Sequence, residues 1–510
     1  MSLHAGSKLL RDWIDRAAQR DPLKPWLVCA DGGRSISYGE LRDTTRRIAA
    51  VLSERALGRN QRVALLANNS AEHLLCYLGV MAYGATICTV HVEMNRNQLE
   101  NIFERLKPEL VLYQAGLALD DLLARVAAPC LPLGHYRHAE AGSFFGEVAR
   151  CEPIDRHAGP TAGDDAVILF TSGTSARPKG VVLTFREHLG NIEPTANGFG
   201  IGAHDRIYDF RSLNWASAQL LGALVPVSCG ATLVLAPKFS ASRFFPHVRE
   251  HRVTVAAGNP TTVNILLNTS LPESPAPLPT LRFLTSSSAP LTLEQWQRFE
   301  HQFGTRIAQG YGSSETGWMA VVSGEERRLG TAGRPLPYHR LAIVDAEGHV
   351  LASGKVGEVE IGGFDEHEYR YLDEDGSIRV NSRGRLRTGD LGLLDAEGFL
   401  VLTGRAKDLI IRGGINISPL EIDSLLMQHP DVVEAATIGI PDSLYGEEVV
   451  SFVVTRAGAA ADANDVLRYC SDALPVYKAP KQIKVCAALP KTERGKLDRK
   501  LLVERWVAGS

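Results

Sequence analysis

Val167-Ile168-Leu169-Phe170-Thr171-Ser172-Gly173-Thr174-Ser175-Ala176-Arg177-Pro178-Lys179-Gly180 is an apolar run that breaks into a loop of glycine, serine and threonine with two cations. The run reads as a buried strand. The loop reads as an anion nest, because glycine lets backbone N–H groups close on an oxygen while hydroxyls and cations add to the attraction. Its spacing is not the G-x-x-x-x-G-K-[ST] of a Walker A loop, so the mechanics of P-loop kinases do not transfer. Taken alone, such a loop is as often an ordinary surface turn as a phosphate cradle.

Outward from this stretch, strand-like runs at 63–67, 232–235 and 282–285 alternate with helical stretches, which predicts a layered α/β architecture. The most apolar run, 74–90, contains Gly79, Gly84 and Thr86 and is shorter than the ~20 residues of a membrane span. It reads as a buried helix leading into a strand, and no integral membrane segment is expected. A chain of 510 residues exceeds one core of the usual size, about 100 to 150 residues, so several packed units are expected. With 55 basic against 58 acidic residues and a net charge of -3, nothing in the bulk charge calls for nucleic acid. The eight cysteines form no CxxC pair, and charges at Lys8, Arg11, Asp12 and Asp15 interrupt any signal-peptide core. Reduced thiols and a cytoplasmic location are the expectation.

The texture changes after Arg405, which places a boundary between 1–406 and 407–510. Ser418-Pro419-Leu420-Glu421 predicts a helix start with a serine N-cap, proline in the first turn and glutamate closing a capping box. Ile422, Leu425, Leu426 and His429 would share one face of that helix. Strands at 435–440 and 449–454 would complete a small α+β unit.

Four further motifs follow the loop in order: Gln309-Gly310-Tyr311-Gly312-Ser313-Ser314-Glu315, Leu386-Arg387-Thr388-Gly389-Asp390, Gly404-Arg405-Ala406-Lys407-Asp408 and Pro490-Lys491-Thr492-Glu493-Arg494-Gly495-Lys496. This ordered set resembles the signature of the adenylate-forming superfamily, which spans acyl-CoA synthetases, peptide-synthetase adenylation domains and firefly luciferase. The chain is most similar to a stand-alone acyl-CoA synthetase. The resemblance implies an α/β fold with a large N-terminal domain of several subdomains and a small mobile α+β C-terminal domain. It also implies that a carboxylate attacks the α-phosphate of ATP to release pyrophosphate, after which a thiol takes the acyl group and AMP leaves.

By that resemblance, residues of the loop wrap the phosphates: Thr171, Ser172, Gly173, Thr174, Ser175, Lys179 and Gly180. Ser288, Ala289, Pro290, Gly310 and Gly312 border the nucleotide, Tyr311 stacks on adenine and Ser314 touches the α-phosphate. Glu315 binds Mg2+, a hard ion that prefers carboxylate oxygen. Asp390 accepts the ribose hydroxyls with help from Arg405, an acceptor-only carboxylate suiting two O–H donors. Lys496 stands at the place of the adenylation lysine, with Asn416 at a place where relatives put an amide beside it; a plain turn asparagine is the equal alternative. Lys407 takes the hinge position, and Gly413-Gly414 would face the pantetheine arm of coenzyme A. Asn214, Trp215, Asn259, Ser286, Ser287, Gly312 and Ser313 would line the acyl pocket, which suits a medium-sized, aromatic or polar-headed acid. The expected acceptor is free coenzyme A, because no carrier domain follows Lys496. Loading of a separate carrier protein is the alternative, and a silent nucleotide-binding relative would have lost Lys496 or Glu315. A homodimer is left open. Departures from the family pattern are Phe185 in place of histidine, Ser286-Ser287-Ser288-Ala289-Pro290 in place of Ser-Gly-Ala-Ala-Pro, and Arg385 in place of tryptophan.

Overall fold

The computed structural model describes residues 9–138, 140–171, 178–269, 278–289, 291–362, 367–456, 458–459, 462–492 and 496–508. The apolar run ahead of the glycine-rich loop is the strand Asp165–Thr171, buried as far as Phe170. It pairs in parallel with Thr86–Thr89, then Arg62–Leu66, Leu110–Tyr113 and Cys130–Pro132. On its other side it pairs antiparallel with Lys179–Thr184, which continues through Glu368–Leu372 to Ile378–Arg383. A second sheet is built around the parallel strands Arg306–Ser313, Phe283–Ser286, Val255–Ala256, Arg206–Asp209, Thr232–Leu235 and Pro25–Cys29, with antiparallel edges. Strands in both central stretches are apolar on both faces, as a sheet covered on both sides requires.

One hydrophobic cluster joins the two sheets, and the helices Tyr38–Glu54 and Ala71–Tyr83 run through it. The second is buried over all of its residues, so it carries no amphipathic pattern and its sequence reads as one continuous apolar stretch. Its close approach to the first rests on Gly79, where a Cβ would stand 2.6 Å from Ile48 Cδ1. The helix ends at Gly84 with φ of 101° and the chain enters the strand Thr86–Thr89, so the 74–90 stretch is a buried helix and strand.

A four-stranded antiparallel sheet follows in the order Arg340–Val344, Gly357–Gly362, Arg385–Leu394, Leu400–Arg405. After Arg405 comes a 3₁₀ turn, Ala406–Asp408, and then a sheet formed by residues beyond 409 only. That sheet has its own cores, one with Ile410, Ile422, Leu426 and Val453, the other with Ile438, Phe452 and Leu502. The strands expected at 435–440 and 449–454 are longer, Val432–Asp442 and Gly446–Thr455.

Two local expectations at the start of this unit are corrected. Proline does occupy the first turn of the helix Pro419–Leu426, but the Ser418 side chain makes no cap bond. Its hydroxyl donates instead to the Thr403 carbonyl of the preceding sheet, so a tertiary acceptor displaces the capping box. The helix also ends at Leu426, and His429 lies past it in the turn, its ring edge-on to Tyr469.

Candidate active site

The residues of the proposed chemistry come from both large sheets, from the four-stranded sheet and from the C-terminal unit. The hairpin Arg306–Ser313 and Gly317–Val322 carries Ser314 and Glu315 at its tip. Its tightness demands glycine: a Cβ on Gly312 would meet the Gly317 carbonyl oxygen at 2.2 Å, and one on Gly310 would meet the Trp318 ring at 2.3 Å. Ser313 closes the turn through Thr316, with its N–H 3.3 Å and its hydroxyl 3.1 Å from Thr316 Oγ1.

A cleft of about 730 Å³, open solvent included, lies against this hairpin. Its walls include Gly312, Ser313 and Ser314 from the hairpin, Ser287 and Ser288 after the strand Phe283–Ser286, Asn259 at a helix start, and Trp215. Lys496 enters the same cleft from the C-terminal unit, its carbonyl accepting the Thr492 N–H at 2.7 Å. Ser288 has φ of 72°, a strained conformation for a residue with a side chain and one that concentrates at functional sites. Asn259 spends its carboxamide oxygen on the cap of Pro260–Asn268, 2.8 Å from the Thr262 N–H. Asn214 and Ser286, expected in the acyl pocket, are buried and do not line the cleft; the Asn214 amide donates to the Ala67 carbonyl at 3.2 Å. Trp215 does line it, its ring stacked on His91 at 6.0 Å.

At the hairpin tip, Glu315 is 18% exposed and lies 3.4 Å from Lys179 Nζ. Lys179 also sits over the Tyr371 ring at 3.6 Å from its centroid, and the Tyr371 hydroxyl is 3.4 Å from Glu315. Burial pushes the Tyr371 phenol above its ordinary value, and the Glu315 charge adds to this. Among the described residues, the contacts of Lys179 and Tyr371 to Glu315 are long, which suits a carboxylate offered to a cation. The donor set suits Mg2+, which takes one or two carboxylates together with phosphate oxygens and water. Among the described residues, the cluster of three metal-type ligands, Asp345, Glu347 and His349, is in an exposed or half-exposed turn elsewhere.

Asp390 and Arg405 are directly paired across two antiparallel strands, at the place where Arg385–Leu394 slips register against Gly357–Gly362. Arg405 Nε is 2.5 Å from one Asp390 oxygen, and the Tyr311 hydroxyl donates to the other at 2.7 Å. Burial, with the Asp390 charge behind it, raises the Tyr311 phenol well above its usual value, so it remains a donor. The loop stems are held in register, Thr171 opposite Lys179 and Phe170 opposite Gly180.

Ser172, Gly173, Thr174, Ser175 and Pro290 lie outside the described residues. Ala289 offers its carbonyl to Gln309 at 3.5 Å. Lys407 is exposed in the 3₁₀ turn, while Gly413 and Gly414, at φ of 58° and 82°, form an exposed turn between Ile410–Arg412 and Ile415–Ile417. Asn416 is exposed in the second of those strands and does not line the cleft. Of the departures, Arg385 is an exposed residue 3.6 Å from Glu360, and Phe185 is buried. The sequence reading missed Arg211, Ser217, Leu220 and Trp318 in the cleft wall. The available signal was Asp209-Phe210-Arg211, two opposite charges set between Ile207-Tyr208 and Leu213.

The sequence model of the AMP-binding enzyme family matches residues 14–365, and that of the AMP-binding enzyme C-terminal domain matches 421–496. The chain is 32% identical over 501 residues to the sulfoacetate–CoA ligase of Cupriavidus necator, covering 95% of each. It is 31% identical to the indoleacetate–CoA ligase of Aromatoleum aromaticum, covering 98% of each. The crystal structure of ATP-bound MatB from Rhodopseudomonas palustris superposes with a TM-score of 0.87 at 27% identity, over 97% of this chain and 99% of that one. The apo form of MatB superposes with a TM-score of 0.78. With both domains matched in order and full-length relatives at this identity, the chain belongs to the AMP-binding enzyme family and is an adenylate-forming acid–thiol ligase.

Proposed function

We propose that the chain joins a carboxylic acid to coenzyme A at the expense of ATP. The acid's oxygen bonds to the α-phosphorus as the α–β bridge breaks and pyrophosphate leaves. The thiol sulfur of coenzyme A then bonds to the acyl carbon, giving up its proton, and AMP departs. The entry of Lys496 into the cleft that Ser288, Ser313 and Ser314 line is the observation that carries this reading.

Most of the first step is positioning and charge neutralisation, since two anions must meet. Lys496 reaches both the acid and the α-phosphate with a compact charge on a flexible stem. Thr171 and Lys179 hold the phosphate loop at its base, Ser314 meets the α-phosphate, and Tyr311, Asp390 and Arg405 hold the nucleoside. Glu315 holds Mg2+, which neutralises phosphate charge when bound. Residues 407–510 act as a mobile unit hinged at Lys407. A second orientation withdraws Lys496 and brings the Gly413-Gly414 turn to the thiol. The greater similarity to the ATP-bound than to the apo form of MatB supports the present arrangement as the one for the first step. Serines beside Trp215 and Trp318 in the cleft wall support a medium-sized, aromatic or polar-headed acid. Loading of a carrier protein is the second reading; the exposed Leu444 and Tyr445 beside the Gly413 turn are what it would use.

The test is pyrophosphate release over a panel of carboxylic acids, with and without coenzyme A, and mass detection of the thioester. ATP-dependent thioester formation on free coenzyme A supports the reading. Adenylate formation that proceeds only to a carrier protein overturns it.

A further inference from the structure

Arg211 is 5% exposed and belongs to the cleft wall. Asp209, fully buried two residues earlier, receives its Nε at 3.0 Å and its Nη2 at 2.7 Å. Nη2 also donates to the Ser217 carbonyl at 3.2 Å. Nη1 has no hydrogen-bond partner among the described residues. The backbone around the guanidinium is fixed as well: the Asn69 amide donates to the Arg211 carbonyl at 2.8 Å and accepts from the Leu213 N–H at 2.9 Å. A π-helix, Gln219–Leu224, packs on the pair so closely that a Cβ on Gly222 would lie 2.7 Å from Asp209 Oδ2.

An ion pair that only tied the end of the strand Arg206–Asp209 to the following loop would gain nothing from a buried, unmet donor. Such a donor costs free energy, and apolar residues of similar volume would often hold the segment better. The arrangement is intelligible if a ligand completes it. In the ligase reading Lys496, from the C-terminal unit, is the cation for the reacting carboxylate, so a singly charged acid would leave Nη1 of Arg211 unmet. Ser287 adds a buried hydroxyl in the same wall that also has no partner among the described residues.

Resting on the ligase reading above, we infer that the acid carries a second oxyanion, a carboxylate or a sulfonate, and that Arg211 is the residue that selects it. A guanidinium N–H bonds an ionised oxygen far more strongly than a neutral one. The relatives do not decide the point by themselves: the acid in the name of one bears a sulfonate, and the acid in the name of the other bears an apolar ring.

Wild-type enzyme is assayed for pyrophosphate release with sulfoacetate against methylsulfonylacetate, and with succinate against monomethyl succinate, each pair matching an oxyanion to a neutral group of similar shape. Indoleacetate is the apolar comparison. The doubly charged member of at least one pair is expected to lead its partner in kcat/KM by roughly 10- to 100-fold, the worth of one charge-assisted hydrogen bond. The leading pair identifies sulfonate or carboxylate. In Arg211→Lys, which keeps the charge opposite Asp209 but loses the fork, the ratio within that pair falls at least 10-fold. Singly charged acids equal to or better than doubly charged ones in the wild type overturn the inference and leave the ligase reading standing. An unchanged ratio in a well-folded Arg211→Lys, with both acids slowed alike, reduces Arg211 to a structural residue and also overturns it. Pyrophosphate release from no acid at all overturns the ligase reading itself. If the variant does not fold, the wild-type pairs decide alone.

Discussion

The hydroxyl of Tyr311 donates to Asp390 at 2.7 Å while Arg405 grips the other oxygen of the same carboxylate at 2.5 Å. Tyr311 from the second sheet and Arg405 from the strand paired with Asp390 thus fix an acceptor that keeps lone pairs for hydroxyl donors. In Tyr311→Phe the second oxygen loses its tether while Arg405 still holds the first. The KM for ATP should rise about 3- to 10-fold with kcat within about 3-fold, because a uniform binding contribution is lost. In Asp390→Asn the acceptor-only group itself is gone, and the rise should reach about 100-fold, near 2.7 kcal/mol. An ATP titration of pyrophosphate release measures both; a fall in kcat at constant KM would take the pair out of the nucleoside site.

Lys496 bears on the first step alone in the proposed scheme. Lys496→Ala should lower acyl-adenylate formation by about 1,000-fold, or 4.1 kcal/mol of barrier. Thioester formation from supplied acyl-adenylate and coenzyme A should stay within about 3-fold. Equal losses in both half-reactions would show that the lysine serves both orientations or the fold.

Lys407 lies in the exposed 3₁₀ turn between the last strand of one sheet and the first of the next. Proline there holds φ near -65° and removes the N–H, so rotation at this residue is blocked. Lys407→Pro should keep adenylation at a useful rate and slow thioester formation about 100-fold, with bound acyl-adenylate accumulating. Single-turnover rates of each half-reaction, with a thermal melt beside them, decide. Parallel slowing of both steps with a normal melt would count against the hinge.

Burial holds three histidines neutral: His73 and His339 are pulled down to about 4 and His188 to about 3, with the His367 charge adding to the effect on His339. Unfolded histidine titrates near 6.5, so below that value the unfolded chain binds more protons than the folded one. Stability is then fully present above pH 6.5 and is lost as pH falls toward 4, by about 2 kcal/mol per histidine at pH 5. Buried Asp423, pushed up to about 6 by desolvation, works in the opposite sense below pH 6 and offsets about one of them. Melts at constant ionic strength between pH 7.5 and pH 5 should show a steady fall in Tm. A flat profile would mean that these histidines are not held neutral.

The sequence by itself determined the α/β class, the buried strand ahead of the glycine-rich loop, the buried helix and strand of 74–90 and the separate unit after Arg405. These features are local. A glycine that must pass a carbonyl, a turn that reverses a strand, or an apolar run of strand length is written within a few neighbouring residues. Tertiary structure alone decided what those segments meet. Ser418 carries the local signal for a helix cap, yet its hydroxyl goes to Thr403 because that carbonyl is brought within reach by another sheet. Asn214 sits next to a wall residue, yet its amide turns to Ala67. Arg211 and Lys496 share a cleft although they come from different domains. Only the packing of the sheets and the C-terminal unit sets such meetings, because contacts between separate strands and domains leave no periodic trace in the chain.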